Sequence, residues 1–121
     1  MSVTYDNIVS AQQEQGDVIR KTSLTFSDTF TQLTGSTVYM INQFEQKTRS
    51  FKLRGAYYKI KTLSEEERKN GVVAASAGNH AQGVAYASAL EKINCTIVMP
   101  TNASPAKVAA TRGYGATVVL E

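Results

Sequence analysis

The chain has 121 residues, 42% of them hydrophobic, which suits one soluble globular domain with its own core. Its net charge is +3, with 13 Lys and Arg scattered rather than clustered, so no nucleic-acid surface is expected. No apolar run approaches the ~20 residues that cross a bilayer, the first six residues lack the features of a signal peptide, and Cys95 alone permits no internal disulfide. These features predict a cytoplasmic protein. In chain order, Tyr5 to Glu14 predicts a helix, with Thr4 as cap, a face of Tyr5, Ile8, Val9 and Gln12, and Gly16 as its end. Ser27 to Thr34 predicts a short helix closed by Gly35 in the left-handed conformation. Thr37 to Ile41 is β-branched and aromatic and predicts a strand. Asn42 to Arg49 has no period and reads as a loop.

From Ser50 the pattern sharpens. Leu53, Ala56, Tyr57, Ile60 and Leu63 share one helical face, which puts Lys52 at the helix N-terminus. The helix dipole is positive there and a cation gains nothing from it, which suits a lysine acting as nucleophile or base. The plain alternative is a solvated surface lysine. Ser64-Glu65-Glu66-Glu67 forms a capping box, a structural role that accounts for its carboxylates. Strands at Val72–Ala75, Thr96–Met99 and Thr117–Leu120 then alternate with helices near Asn79–Leu90 and Pro105–Arg112. Ser104 reads as an N-cap, Pro105 as the first helical residue, and Gly113 as the stop. Apolar strands joined by helices imply a parallel β-α-β-α-β sheet with right-handed crossovers. Between the first of these strands and its helix lies Ser76-Ala77-Gly78-Asn79-His80, a small-residue loop whose amides suit an anion. Asn79 has a plain alternative as a helix cap, His80 as a hydrogen-bonded structural histidine, and Arg54 as a helix-face charge. Cys95 reads as a buried core residue.

The segments Ser50-Phe51-Lys52-Leu53-Arg54-Gly55-Ala56 and Ser76-Ala77-Gly78-Asn79-His80-Ala81-Gln82-Gly83-Val84 resemble the two N-terminal signatures of the threonine dehydratases. These are pyridoxal-phosphate enzymes of the tryptophan-synthase-β-like fold, close to serine racemase. Lys107-Val108-Ala109-Ala110-Thr111 strengthens the resemblance and points to the degradative branch. The resemblance covers nearly the whole chain. It implies an α/β fold and a lyase that turns threonine into 2-oxobutanoate and ammonia, in amino-acid degradation or isoleucine biosynthesis. It implies that Lys52 bonds the cofactor pyridoxal 5'-phosphate and takes the substrate α-proton. Phe51 would pack on the cofactor ring and Asn79 would bond its 3' oxygen. Ser76, Ala77, Gly78, Asn79 and His80 would hold the carboxylate of a small amino-acid substrate, with no metal. A nucleotide monophosphate effector would contact Lys47, Thr48, Gln82 and Gly113.

The resemblance further implies a longer enzyme, assembled as a homo-oligomer. Residues 1–41 would belong to its larger domain, and residues 42–121 would form the small domain carrying the lysine and the loop. No glycine-rich phosphate loop occurs here, so the 121 residues are expected to be an N-terminal portion, inactive alone and prone to self-association. A non-catalytic anion-binding or subunit-interaction module is the alternative. The lead-in to the lysine departs from the family pattern. Ile41, Gln43 and Phe44 replace a lysine-any-glutamate-asparagine pattern, Arg49 replaces a glycine, and Ser23 stands where proline is common. Arginine adopts a glycine's backbone angles only at a cost.

Overall fold

A computed structural model describes residues 2–121; Met1, the first residue of the N-terminal stretch read above, lies outside them. The first helix, α1, spans Tyr5–Gln15. Thr4 caps it through a reciprocal capping box with Asn7, and Gly16 ends it. Its expected apolar face is not buried: Tyr5 and Ile8 are exposed, and the buried residue is Gln15. The Gln15 side-chain amide donates to the Arg54 carbonyl at 2.9 Å and so ties α1 to the later part of the chain.

A strand absent from the sequence reading follows. Strand β1, Leu24–Phe26, pairs antiparallel with β2, Tyr39–Ile41, and α2, Asp28–Thr34, lies between them. The expected strand from Thr37 thus starts two residues later. Ser27 caps α2 through its hydroxyl, and Gly35 closes it at φ 69°, in the left-handed region. The stretch from Asn42 is not featureless, because Gln43–Glu45 forms a single 3-10 turn.

The parallel unit matches the expectation. Helix α3 is Lys52–Lys61 and α4 is Glu65–Asn70; then come β3 (Val72–Ala75), α5 (Asn79–Leu90), β4 (Cys95–Met99), α6 (Pro105–Gly113) and β5 (Thr117–Leu120). The strands lie in the order β3-β4-β5, all parallel, with Val72 opposite Cys95 and Ile97 opposite Val118. Ser64 and Glu67 form the capping box of α4. Ser104 makes no side-chain capping bond; Pro105 at the head of α6 leaves one fewer N–H to satisfy there.

The core sits where α3 and α5 pack on one another and on the sheet. Leu53, Ala56, Tyr57 and Ile60 of α3 meet Ala81, Val84, Ala85 and Ala87 of α5 and Ile97 and Met99 of β4. Small residues on α5 let the two helices approach closely. Gly83 sets the limit: a Cβ there would lie 3.2 Å from the Lys52 carbonyl carbon and 3.3 Å from the Leu53 nitrogen. Cys95 is buried, as expected; burial pushes its thiol above the usual range, against a smaller opposing effect of the Ser88 hydroxyl.

A polar network fastens the far ends of α3, α4 and α5. The Tyr57 hydroxyl donates to Glu91 Oε1 at 3.0 Å. Both terminal nitrogens of Arg68 donate to Glu91 Oε2, at 3.1 and 3.2 Å, and Lys61 donates to Oε1 at 3.4 Å. Burial pushes the Glu91 carboxyl up, but the bonds from Tyr57, Arg68 and Lys61 outweigh it and hold the group below the usual carboxylate range. Tyr57 is pushed above the usual phenol range by burial and by its bond to Glu91.

Candidate active site

Lys52 is the first residue of α3 and its side chain is exposed. Its ammonium sits 4.9 Å from the centroid of the Phe51 ring, a cation–π distance, and Phe51 is itself exposed. The turn into the helix is held locally. Ser50 is buried, and its hydroxyl accepts from the Lys52 N–H at 3.4 Å. Arg49, one residue earlier, has φ 59°. This is the left-handed conformation expected from its place at a family glycine, and a side chain there is strained. Thr48 is buried, and its hydroxyl finds no partner among the described residues.

The loop Ser76–His80 follows β3 directly and leads into α5 at the carboxyl end of the parallel strands. Crevices at that end are where open α/β sheets take ligands. The Ser76 N–H extends the sheet ladder to the Val98 carbonyl at 3.0 Å. The Gly78 N–H donates to Ser76 Oγ at 3.3 Å. The first helical bond of α5 runs from the Gln82 N–H to the Gly78 carbonyl. The N–H groups of Ala77, Asn79, His80 and Ala81 are therefore left open, set at the positive end of a helix dipole. Asn79 is exposed, and Gly78 rather than Asn79 holds the capping position, so its side-chain amide is not used as a cap. His80 is exposed as well.

The structure joins the two signatures through the α3–α5 contact. Gly83, one turn into α5, stands against the backbone of Lys52 and Leu53, so the lysine and the loop belong to one packed unit. Gly83 lies inside the second signature, and its signal in the sequence is a glycine inside a helix with no turn to explain it. Of the four residues expected to touch an effector, Lys47 and Thr48 lie just before Lys52, and Gln82 lies in the first turn of α5. Gly113 ends α6, toward the opposite end of the parallel sheet. A cleft of about 580 Å³ lies elsewhere, lined by residues that include Gln12, Gln15, Asp17, Arg20 and Arg54. Among the described residues no group of three His, Cys, Asp or Glu side chains is placed to hold a metal, and no helix is long and apolar enough to cross a membrane.

An exposed lysine against an aromatic ring, packed in one unit with a loop of open N–H groups, suits an aldehyde cofactor with a flat ring. Residues 16–120 match the family model of the pyridoxal-phosphate dependent enzymes. The chain belongs to this family. It is 51% identical over 119 residues to an L-threonine ammonia-lyase from Thermotoga maritima, covering 98% of this chain and 30% of that protein. It is 42% identical to the catabolic L-threonine dehydratase of Escherichia coli, covering 99% of this chain and 36% of that one. Among solved structures, the serine racemase of Dictyostelium discoideum superposes with a TM-score of 0.92 at 41% identity, over 98% of this chain and 38% of the racemase. The chain therefore spans about a third of the length of the relatives it matches. Family and cofactor class thus agree with the motif reading, and the match favours part of a lyase over a non-catalytic module.

Proposed function

We propose that these 121 residues supply the cofactor lysine and the substrate loop of a pyridoxal-phosphate-dependent threonine or serine dehydratase, which converts threonine to 2-oxobutanoate and ammonia. The observation that supports this reading is the α3–α5 joint, where Gly83, one turn into the helix that the loop opens, stands against the backbone of Lys52. Residues 42–121 act as the small catalytic domain. Residues 1–41 belong with the larger domain of a longer enzyme, a homo-oligomer of the cytoplasm.

Lys52, Phe51 and Asn79 would hold the cofactor, and the cofactor when bound supplies an electron sink for the carbon that loses its proton. Lys52 would carry the link to the cofactor, and its Nζ would accept the substrate α-proton. The Phe51 ring covers one face of the site. The open N–H groups of Ala77, Asn79 and His80 fix the substrate carboxylate, and through it the α-carbon, within reach of Lys52. Such positioning is worth roughly 7–11 kcal/mol of barrier when complete. His80 takes no part in proton transfer. A nucleotide monophosphate effector would meet Lys47, Thr48 and Gln82, with Gly113 apart from them.

The test begins with the purified chain and pyridoxal phosphate. Borohydride reduction followed by peptide mass mapping is expected to mark Lys52 ahead of the other lysines. The accompanying absorbance band is expected to be weak and lost on dialysis, and Lys52→Ala removes its site-specific part. Labelling spread evenly over the lysines would overturn the assignment. Steady 2-oxobutanoate production by this chain alone, abolished by Lys52→Ala, would show that the site is complete within 121 residues.

A further inference from the structure

One cation near the loop has no part in the chemistry described so far. Lys107 lies in the first turn of α6, where a positive charge gains nothing from the helix dipole. Its ammonium makes neither an ion pair nor a hydrogen bond among the described residues; the two ion pairs belong to Lys61 and Arg68. It stands over the loop instead: a Cβ built on Gly78 would have Lys107 Nζ as its nearest neighbour, at 3.8 Å. The heads of α5 and α6 both lie at the carboxyl end of the sheet, so two helix N-termini and one ammonium share a small space. Neither Ser76–His80 nor Pro100–Lys107 contains an acidic residue, and Glu121, whose backbone bonds Thr101, makes no ion pair with Lys107.

We propose that Lys107 is a substrate-binding residue of this site, pairing its ammonium with the carboxylate seated on the Ser76–His80 loop. The proposal rests on the loop assignment made above and adds what that assignment lacks. The loop amides can bond a carboxylate but carry no net charge to balance it, and an ammonium supplies that charge together with a bond in which both partners are ionised. Gly78 has no side chain to hold the amine away. The reach of a lysine also lets the contact form as the carboxylate arrives, without strain in the backbone.

The experiment is an acetate titration of the 15N-labelled chain at constant ionic strength, read at the amides of Ala77, Gly78, Asn79 and His80. Acetamide serves as the uncharged match. Acetate is expected to shift these amides saturably and acetamide is not. Lys107→Gln raises the acetate Kd roughly threefold to fivefold, the range of a partly solvated ion pair. Lys107→Arg keeps it near the starting value, and Lys69→Gln, on the exposed face of α4, leaves it unchanged. An unchanged Kd in Lys107→Gln overturns the proposal and leaves the loop assignment standing. An equal loss in Lys69→Gln also overturns it, because net charge then explains the effect. Absence of any acetate shift overturns this proposal together with the loop assignment, while labelling of Lys52 still judges the cofactor reading separately.

Discussion

The two halves of the chain treat their apolar residues in opposite ways. In the parallel unit, Leu53 and Ile97 are fully buried and Met99 is 1% exposed. In the N-terminal segment, Leu24 is 62% exposed and Leu33 75%, and Phe30, Tyr39 and Ile41 are open as well. Both halves form regular helices and strands. Local signals therefore suffice to make helices and a hairpin, but the apolar faces that find partners within the described residues are chiefly those of α3, α5 and β4, while Val73 of β3 and Val119 and Leu120 of β5 stay exposed. Stability resides in the second half, and the first half presents surface.

The largest test of that contrast is Leu53→Ala against Leu33→Ala. Truncating Leu53 empties a closed part of the core and is expected to cost about 3 kcal/mol in urea unfolding. The Leu33 change is expected to stay within about 0.5 kcal/mol. Equal losses would mean that the N-terminal segment is buried in solution, for instance by self-association.

Gly83→Ala and Gly55→Ala sharpen the comparison within α3 and α5. The Cβ at position 83 meets backbone, so α5 must move away from Lys52, at a cost of about 1–3 kcal/mol. Position 55 is exposed, with nothing within 4 Å of an added Cβ. There alanine is expected to stabilise by about 0.5–1 kcal/mol. The Gly83 variant should also lose selective labelling at Lys52, and the Gly55 variant should keep it.

Glu91 gives the parallel unit a pH dependence. Its folded-state carboxyl titrates below the ordinary value of 4.5. Its contribution is therefore present above 4.5 and is lost as pH falls through the lower folded value. Tyr57 is raised above 10.0, so its contribution is present below pH 10 and is lost as pH rises through the folded value. Glu91→Gln is expected to cost about 1–2 kcal/mol at pH 7 and to flatten the acid limb of the stability profile. An acid limb unchanged in Glu91→Gln would assign it to other carboxylates.

The smallest effect is at the boundary between the halves. Arg49→Gly relieves the left-handed strain but adds freedom to the unfolded chain, so a net gain of about 0.5–1 kcal/mol is expected in thermal unfolding. A loss there would mean that the arginine side chain holds the turn ahead of Lys52.

The parallel unit was legible because each strand is a short apolar run and each helix begins and ends on its own punctuation, as at Pro105 and Gly71. The place of Lys52 followed from the period of Leu53, Ala56, Tyr57 and Ile60. Strand β1 was hidden because three residues show no alternation, and its pairing partner lies across α2. The open and engaged amides of the loop were hidden too. That Gly78 is taken by Ser76, and Ser76 by Val98, depends on where β4 lies. The approach of Lys107 to Gly78 joins residues 29 positions apart, and no local pattern announces it. The strain at Arg49 was legible, since it needs only the knowledge that a glycine usually stands there.

The closeness of α5 to Lys52 has a consequence at the level of the gene. Glycine alone among the amino acids has no Cβ, so every missense change in codon 83 puts an atom against the carbonyl carbon of Lys52. At most positions some substitution is smaller or equal in size, and drift can pass through it. Codon 83 offers none: its third base is free to change silently, while any base change that alters the amino acid presses on the residue that would carry the cofactor.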